Sequence, residues 1–177
     1  MKQVEFFGMQ LDPGTGDVAM VLREREQPRR VVSIMIGGLE AVSIAAALNG
    51  DEPPRPLTHD LMVSLLTATG ARVDAVEVHE LRDGAFLAEL AVSGPVGDVR
   101  LDSRPSDAIA LALRVDAPMY MAESLLDEVG LVIPELPDEE QIEEEIEEFR
   151  ARLDEIGVDA FTDEDSHDGP GDHAPPA

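Results

Sequence analysis

Two short segments of the chain place arginine, proline, a hydroxyl side chain and aspartate in the same order. The first is Arg55–Asp60, which reads R-P-L-T-H-D, and the second is Arg104–Asp107, which reads R-P-S-D. Proline is favoured at the first position of a helix, so each segment predicts a helix start. Unpaired N–H groups and the positive end of the helix dipole favour anions there, and arginine adds bidentate pairing with phosphate. Both segments are therefore candidate phosphate sites.

Two other interpretations of these segments stay open. Carboxylates that lie close together could hold Mg²⁺, which takes one or two of them together with water and substrate oxygens. Capping is the simpler interpretation, in which Thr58 and Ser106 accept hydrogen bonds from free N–H groups while Asp60 and Asp107 oppose the helix dipole. The spacing alone favours capping, and Thr58 is then the expected N-cap residue of its helix.

The second segment opens a stretch, Asp102–Val115, that is apolar on nearly every face after its first six residues. A helix of this kind is normally buried in the middle of a domain. The alternation of Val99 and Leu101 with polar residues predicts a strand directly before it. We therefore expect a central helix whose charged N-terminus lies at the end of a strand.

The rest of the pattern predicts an α+β domain. Strands are predicted at residues 4–11, 18–22, 31–36, 71–81, 86–92, 99–102 and 119–121, and helices at 39–48, 58–70, 105–115 and 123–129. Leu61, Met62, Leu65 and Leu66 form one apolar face of the second helix, and His79 is expected to be exposed on a strand. Hairpins prevail over β-α-β units, which favours a mixed, largely antiparallel sheet with packed helices.

Charge is distributed unevenly along the chain of 177 residues, whose formal net charge is −25. Residues 135–177 hold 17 acidic and 2 basic residues, so the preceding part carries −10. We predict a domain over residues 1–134, an acidic amphipathic helical extension over 135–160 and a disordered acidic tail over 161–177. The apolar seam of the extension is Ile142, Ile146, Phe149, Leu153 and Ile156.

Several classes of protein are excluded or disfavoured by composition. The absence of cysteine excludes disulfides, thiolate metal sites and cysteine nucleophiles. We find no signal-peptide pattern and no apolar run of the roughly 20 residues that a membrane span requires. We expect a soluble, cytoplasmic protein with no membrane partner, whose surface lacks the basic patch typical of nucleic-acid binders.

Four segments, in this order, resemble the bifunctional nuclease domain family: Gly38–Ala41, Pro53–Leu61, Leu81–Phe86 and Ser103–Arg114. They read G-L-E-A, P-P-R-P-L-T-H-D-L, L-R-D-G-A-F and S-R-P-S-D-A-I-A-L-A-L-R, within a resemblance that covers residues 2–133. The resemblance implies an α+β fold, nuclease activity on DNA and RNA, and assembly as a homo-oligomer. The residues that match by position are Glu40, Arg55, Thr58, His59, Asp60, Asp102, Ser103, Arg104, Ser106 and Asp107.

If the chain is a nuclease, the expected mechanism is metal-assisted hydrolysis of phosphodiester bonds. The metal, expected to be Mg²⁺, would polarise the phosphate and activate water. Its ligands would be Asp60 and Asp107, together with Asp102 or Glu40. His59 would act as general base or acid, although a structural cap is an equal alternative for it. Arg55 and Arg104 would stabilise charge on the phosphoryl oxygens, and Thr58, Ser103 and Ser106 would bind substrate.

The strong negative charge supports a different hypothesis, a non-catalytic, acidic protein-interaction or regulatory module that keeps the nuclease-like fold. A net charge of −25 repels a phosphate backbone, whose neutralisation normally supplies most non-specific affinity. The acidic helix would then bind a protein partner, and the Arg-Pro-Asp segments would be buried ion pairs that stabilise the fold. Adaptation to high salt is a further explanation of the acidity, and it predicts loss of folding at low salt.

Overall fold

The computed structural model describes residues 1–51 and 53–132. The predictions for residues 135–160 and 161–177 lie outside the described residues. The strands are β1 (Lys2–Leu11), β2 (Val18–Glu24), β3 (Arg30–Ile36), β4 (Arg72–Arg82), β5 (Ala85–Ser93), β6 (Val99–Ser103), β7 (Met119–Met121) and β8 (Leu131–Val132). The helices are α1 (Gly38–Asn49), α2 (Thr58–Ala68), α3 (Pro105–Val115) and α4 (Glu123–Val129).

The described strands form one mixed sheet in the order β6-β5-β4-β7-β1-β2-β3-β8. Strands β4 and β7 pair in parallel, and the other neighbouring pairs are antiparallel. The hairpin between β4 and β5 turns through Asp83 and Gly84, whose φ values of 53° and 80° suit a type I′ turn. The α+β class and the mixed, largely antiparallel sheet are confirmed.

Helix α3 is the centre of the packing. It contacts β4 and β5 on one side, and α1 and α2 pack against it. Ile109 and Leu111 of α3 and Val76 and Val78 of β4 are all 0% exposed. A helix that is apolar apart from Ser106, Asp107 and Arg114 is stable here because the sheet covers one side of it and two helices cover much of the rest.

Three details differ from the sequence-based expectations. Leu57, not Thr58, is the N-cap residue of α2, so Thr58 begins the helix. Most of the expected apolar face of α2 is exposed, since Leu61 and Leu65 are 53% and 57% accessible. His79 is half-buried rather than exposed. Among the described residues, no helix is both long and apolar enough to span a bilayer.

Candidate active site

A cleft of about 850 Å³ lies where α1, α2 and α3 begin and β6 ends. Arg104 is the N-cap residue of α3, and Pro105 occupies its first turn as the sequence predicts. Asp107 follows in the same turn, and His59 lies in the first turn of α2. The fold therefore brings the two Arg-Pro segments to one cavity through the packing of α2 on α3.

A chain of hydrogen bonds connects the polar groups at the floor of this cleft. His59 Nε2 lies 3.1 Å from Asp107 Oδ1, and His59 Nδ1 lies 2.8 Å from Ser43 Oγ. Arg104 donates from Nε to Asp107 Oδ2 at 2.7 Å and from Nη2 to Asp107 Oδ1 at 3.1 Å. His59 and Ser43 are both buried, so the hydrogen bond between them forms away from bulk water.

Arg104 bridges two carboxylates at the mouth of the cleft. Its Nη2 also lies 2.8 Å from Glu40 Oε1, and its side chain is 66% exposed. Asp102 lines the same cavity, so three carboxylates and one guanidinium surround it, a net charge of −2 when His59 is neutral. The lining of the cleft therefore holds one accessible cation and three carboxylates, so negative charge is in excess.

A second ion pair lies beside this chain of hydrogen bonds, outside the lining of the cleft. Arg114 Nε donates to Asp60 Oδ1 at 2.6 Å, and Arg114 Nη2 donates to Ser43 Oγ at 3.1 Å and to the Ser43 carbonyl at 3.2 Å. Asp60 Oδ2 accepts the Leu57 N–H at 2.7 Å. Asp60 thus caps α2 and holds Arg114 against Ser43.

The pKa values of these groups follow from their partners. Burial raises the pKa of Asp107, but the hydrogen bonds from Arg104 and His59 outweigh it, so the pKa lies below its ordinary value. The pKa of Asp60 is lowered first by Arg114 and then by the Leu57 N–H. The hydrogen bond to Asp107 raises the pKa of Arg104. Both carboxyl groups are therefore ionised at neutral pH, each beside a guanidinium group that donates to it.

Seven of the ten sequence-predicted site residues line the cleft, and three do not. The residues that line it are Glu40, Thr58, His59, Asp102, Ser103, Arg104 and Asp107. Asp60 binds Arg114 instead, Arg55 is exposed outside the cleft, and Ser106 is buried in the first turn of α3.

Ser43 and Arg114 belong to the site and were not among the predicted residues. Ser43 is the single polar side chain between Glu40 and Asn49 of α1, whose sequence is G-L-E-A-V-S-I-A-A-A-L-N, and Arg114 is a charged residue near the end of the largely apolar α3. A buried polar residue within an apolar helix needs a partner, because burial without one is costly. That signal could have identified both residues.

The positions of the carboxylates show whether the described residues fit a divalent metal. Within the described part of the chain, no group of three or more His, Asp or Glu side chains is placed to hold a metal ion. Both oxygens of Asp107 and both of Asp60 accept hydrogen bonds, and Asp60 does not line the cleft. The described residues therefore do not form a metal centre as they stand.

Comparisons with known proteins agree with the resemblance in the sequence. The family model of the bifunctional nuclease domain matches residues 20–134. The uncharacterized protein Rv1829 of Mycobacterium tuberculosis is 38% identical over 165 residues, which cover 91% of this chain and 98% of that protein.

Plant proteins are more distant relatives. Bifunctional nuclease 2 of Oryza sativa subsp. japonica is 28% identical over 117 residues, 64% of this chain and 36% of that protein. Bifunctional nuclease 2 of Arabidopsis thaliana is 29% identical over 117 residues, 64% of this chain and 35% of that protein. The match in the plant proteins thus spans about a third of their length. The chain belongs to the bifunctional nuclease domain family.

Proposed function

We propose that the protein is a nuclease that hydrolyses phosphodiester bonds of DNA or RNA in the cleft at the helix starts. One observation carries the proposal: in a member of the bifunctional nuclease domain family, a buried His59 bonded to the half-buried Asp107 shares one cavity with an accessible Arg104. Histidine can exchange protons near neutral pH, and arginine matches the geometry of phosphate. Proton transfer and stabilisation of charge on the phosphoryl oxygens are two functions by which side chains can promote phosphodiester hydrolysis.

Each polar group of the cleft has a proposed role. Arg104 is 66% exposed, so it can exchange its Glu40 contact for a phosphoryl oxygen and stabilise developing negative charge. His59 accepts a proton as general base, and the ionised Asp107 stabilises the imidazolium that results. Thr58 and Ser103 line the cavity. Thr58 can donate a hydrogen bond to a substrate oxygen, and Ser103 can do so by releasing the Arg104 carbonyl, to which its hydroxyl donates at 3.0 Å.

A divalent metal stays a prediction for this site. The carboxylates of Glu40, Asp102 and Asp107 line the cleft, but they do not form a ligand group in the described residues. Activity should be measured with EDTA and with added Mg²⁺, so that the result decides the requirement.

The test is cleavage of fluorescently labelled single- and double-stranded DNA and RNA by the wild type and by Asp107→Asn. The substitution keeps the size of the side chain and removes the charge that supports the imidazolium. We expect the cleavage rate to fall at least about 100-fold, in the range that loss of general acid–base catalysis causes.

Asp74→Asn is the matched control. Asp74 accepts from Arg72 Nε at 2.7 Å, the same contact that Asp107 makes with Arg104, but it lies on β4 outside the cleft lining. Circular dichroism shows whether each variant is folded. If folded Asp107→Asn cleaves as fast as Asp74→Asn, the reaction centre is not at His59 and Asp107.

A non-catalytic interaction module is the second candidate, and two observations favour it. The cleft carries a net charge of −2, and its arginine is already paired with Asp107 and Glu40. In addition, Leu39 and Val42 of the lining are 86% and 62% exposed, which is a surface that a partner could cover. Wild-type protein that stays inert on all four substrates, with every metal and salt concentration, would support this candidate.

A homo-oligomeric assembly, a protein partner for residues 135–160 and a cytoplasmic location also stay predictions.

A further inference from the structure

The direction of each hydrogen bond at the floor of the cleft is fixed by which of the two atoms carries a proton. Asp107 is ionised and accepts from Arg104 through both of its oxygens. A carboxylate has no proton to donate, so the contact between Asp107 Oδ1 and His59 Nε2 requires a proton on Nε2. When His59 is neutral, its lone pair is therefore on Nδ1.

The neighbour of that lone pair is Ser43. Arg114 Nη2 donates to Ser43 Oγ at 3.1 Å, and arginine has no acceptor. The Ser43 hydroxyl thus accepts a hydrogen bond from Arg114 and can turn its own proton to His59 Nδ1, which lies 2.8 Å away. Ser43 is only 7% exposed, yet it lines the cleft. The proton that a neutral His59 can accept is accordingly the proton of Ser43.

We propose that Ser43 is the nucleophile of the reaction and that His59 activates it; this rests on the proposed nuclease function. A nucleophilic serine needs a base within hydrogen-bond reach and a third group that orients the base, and Ser43, His59 and Asp107 meet both conditions. The arrangement resembles the Ser-His-Asp set of serine hydrolases with the two ring nitrogens exchanged. Arg114 lies beside Ser43 Oγ, where it stabilises negative charge that develops on that oxygen.

The reaction has two displacements. In the first, Ser43 Oγ attacks phosphorus, its proton moves to His59 Nδ1, and the bond from phosphorus to one ester oxygen breaks; a water in the cleft gives a proton to the departing oxygen and is left as hydroxide. One strand end leaves as an alcohol, and the other stays bound as a phosphodiester of Ser43. In the second, that hydroxide attacks phosphorus, the bond to Ser43 breaks, and protonated His59 gives its Nδ1 proton back to Ser43 Oγ. The net reaction consumes one water and forms one alcohol and one phosphomonoester.

The stereochemistry at phosphorus tests the proposal directly. An oligonucleotide with one phosphorothioate of defined configuration is cleaved in ¹⁸O-labelled water, and the configuration of the product is determined by ³¹P NMR. Two in-line displacements give net retention, which is the expected result. Inversion would show a single attack by water, which overturns the role of Ser43 and leaves the proposed nuclease function standing. If neither this substrate nor its unmodified counterpart is cleaved, both the role of Ser43 and the proposed nuclease function are overturned.

Variants supply the second measurement. Ser43→Ala should lower the cleavage rate at least about 10³-fold and should abolish acid-stable labelling of the protein by an oligonucleotide with internal ³²P. Ser64→Ala is the control, because Ser64 is also a helical serine with a bonded hydroxyl, donating to the Asp60 carbonyl, but it does not line the cleft. If folded Ser43→Ala cleaves within tenfold of Ser64→Ala, Ser43 only fixes the orientation of the His59 ring, and the proposal is wrong.

Discussion

Asp60 and Asp107 occupy equivalent positions in the sequence but have different environments in the structure. Both follow an Arg-Pro pair and lie in the first turn of a helix. Asp107 binds Arg104, three residues before it, whereas Asp60 binds Arg114, which is 54 residues away, and Arg55 is exposed. The local pair could be anticipated from spacing, but the distant one depends on how α2 packs against α3. The motifs therefore located the site without identifying all of its partners.

Asp60→Asn should destabilise the protein. Asp60 is the carboxylate bound to Arg114, whose side chain is 8% exposed, so the substitution leaves a nearly buried cation without its counter-charge. Arg114 keeps its bonds to the Ala110 and Ser43 carbonyls, which reduces the loss. We expect the free energy of unfolding to fall by about 2 to 3 kcal/mol, measured by urea denaturation at neutral pH. An unchanged free energy would show that this pair does not stabilise the fold.

The same pair predicts how stability depends on pH. Arg114 lowers the pKa of Asp60 in the folded protein, so the unfolded chain binds the proton more readily. The contribution of Asp60 is therefore fully present above its unfolded-state pKa of about 3.9 and is lost as pH falls through the lower folded pKa. Urea denaturation of wild type and Asp60→Asn should give curves that converge below about pH 4. A constant difference between the two proteins at every pH would contradict this assignment.

At the scale of elements, α3 could be predicted and α2 only in part. Helix α3 is apolar on every face except the one that carries Asp107 and Arg114, which are seven residues apart, so its burial follows from composition. Helix α2 carries two apolar stripes. One stripe consists of His59, Val63 and Leu66 and packs against the core. The other contains Leu61 and Leu65 and is exposed. Periodicity could not choose between the stripes, because a buried histidine occupies the position where an apolar residue is expected.

A buried ion pair joins α4 to the hairpin of β2 and β3. Glu24 is 1% exposed and accepts from Arg30 Nε and Nη2 at 2.9 and 3.0 Å, while Arg30 also binds Asp127 of α4. Removal of one partner leaves a buried charge, which typically costs about 3 to 5 kcal/mol. We expect Glu24→Gln to lower the free energy of unfolding by an amount in this range.

The double variant Glu24→Leu/Arg30→Met checks the reason for that loss. It removes both buried charges and keeps apolar volume, so it should be more stable than Glu24→Gln in urea denaturation. Asp127→Asn is the exposed control, because the Asp127 side chain is 67% accessible, and its effect should be below about 1 kcal/mol. A double variant that is less stable than Glu24→Gln would show that packing, not charge, sets the cost.

For the whole molecule, the class of fold follows from the sequence, but the order of strands does not. Hairpins connect β1 with β2 and β4 with β5, as turn residues and alternation predict. The three residues of β7 lie between β1 and β4 and join the two halves of the sheet, antiparallel to one and parallel to the other. Such a short strand has little pattern of its own, and its partners are distant in sequence. The cleft depends on this order, because α3 precedes β7 and lies over β4 and β5.

The charge of the whole chain predicts how residues 135–177 affect activity. Their deletion changes the formal net charge from −25 to −10, which weakens repulsion of a nucleic-acid substrate. We expect kcat/KM for cleavage of DNA or RNA to rise roughly tenfold at low salt. The gain should shrink toward 0.15 M salt, where the Debye length falls to about 8 Å.

A full-length variant separates charge from chain length. In it, the acidic residues of the stretch 138–148 are replaced by Asn and Gln, so that the chain keeps its length and loses much of its negative charge. If repulsion is the cause, kcat/KM of this variant rises at low salt as it does for the truncated protein, and both gains decrease with added salt. A rise confined to the truncated protein would show that the segment acts through its presence rather than its charge. Equal kcat/KM for all three proteins at low salt would mean that the charge of residues 135–177 does not oppose substrate binding.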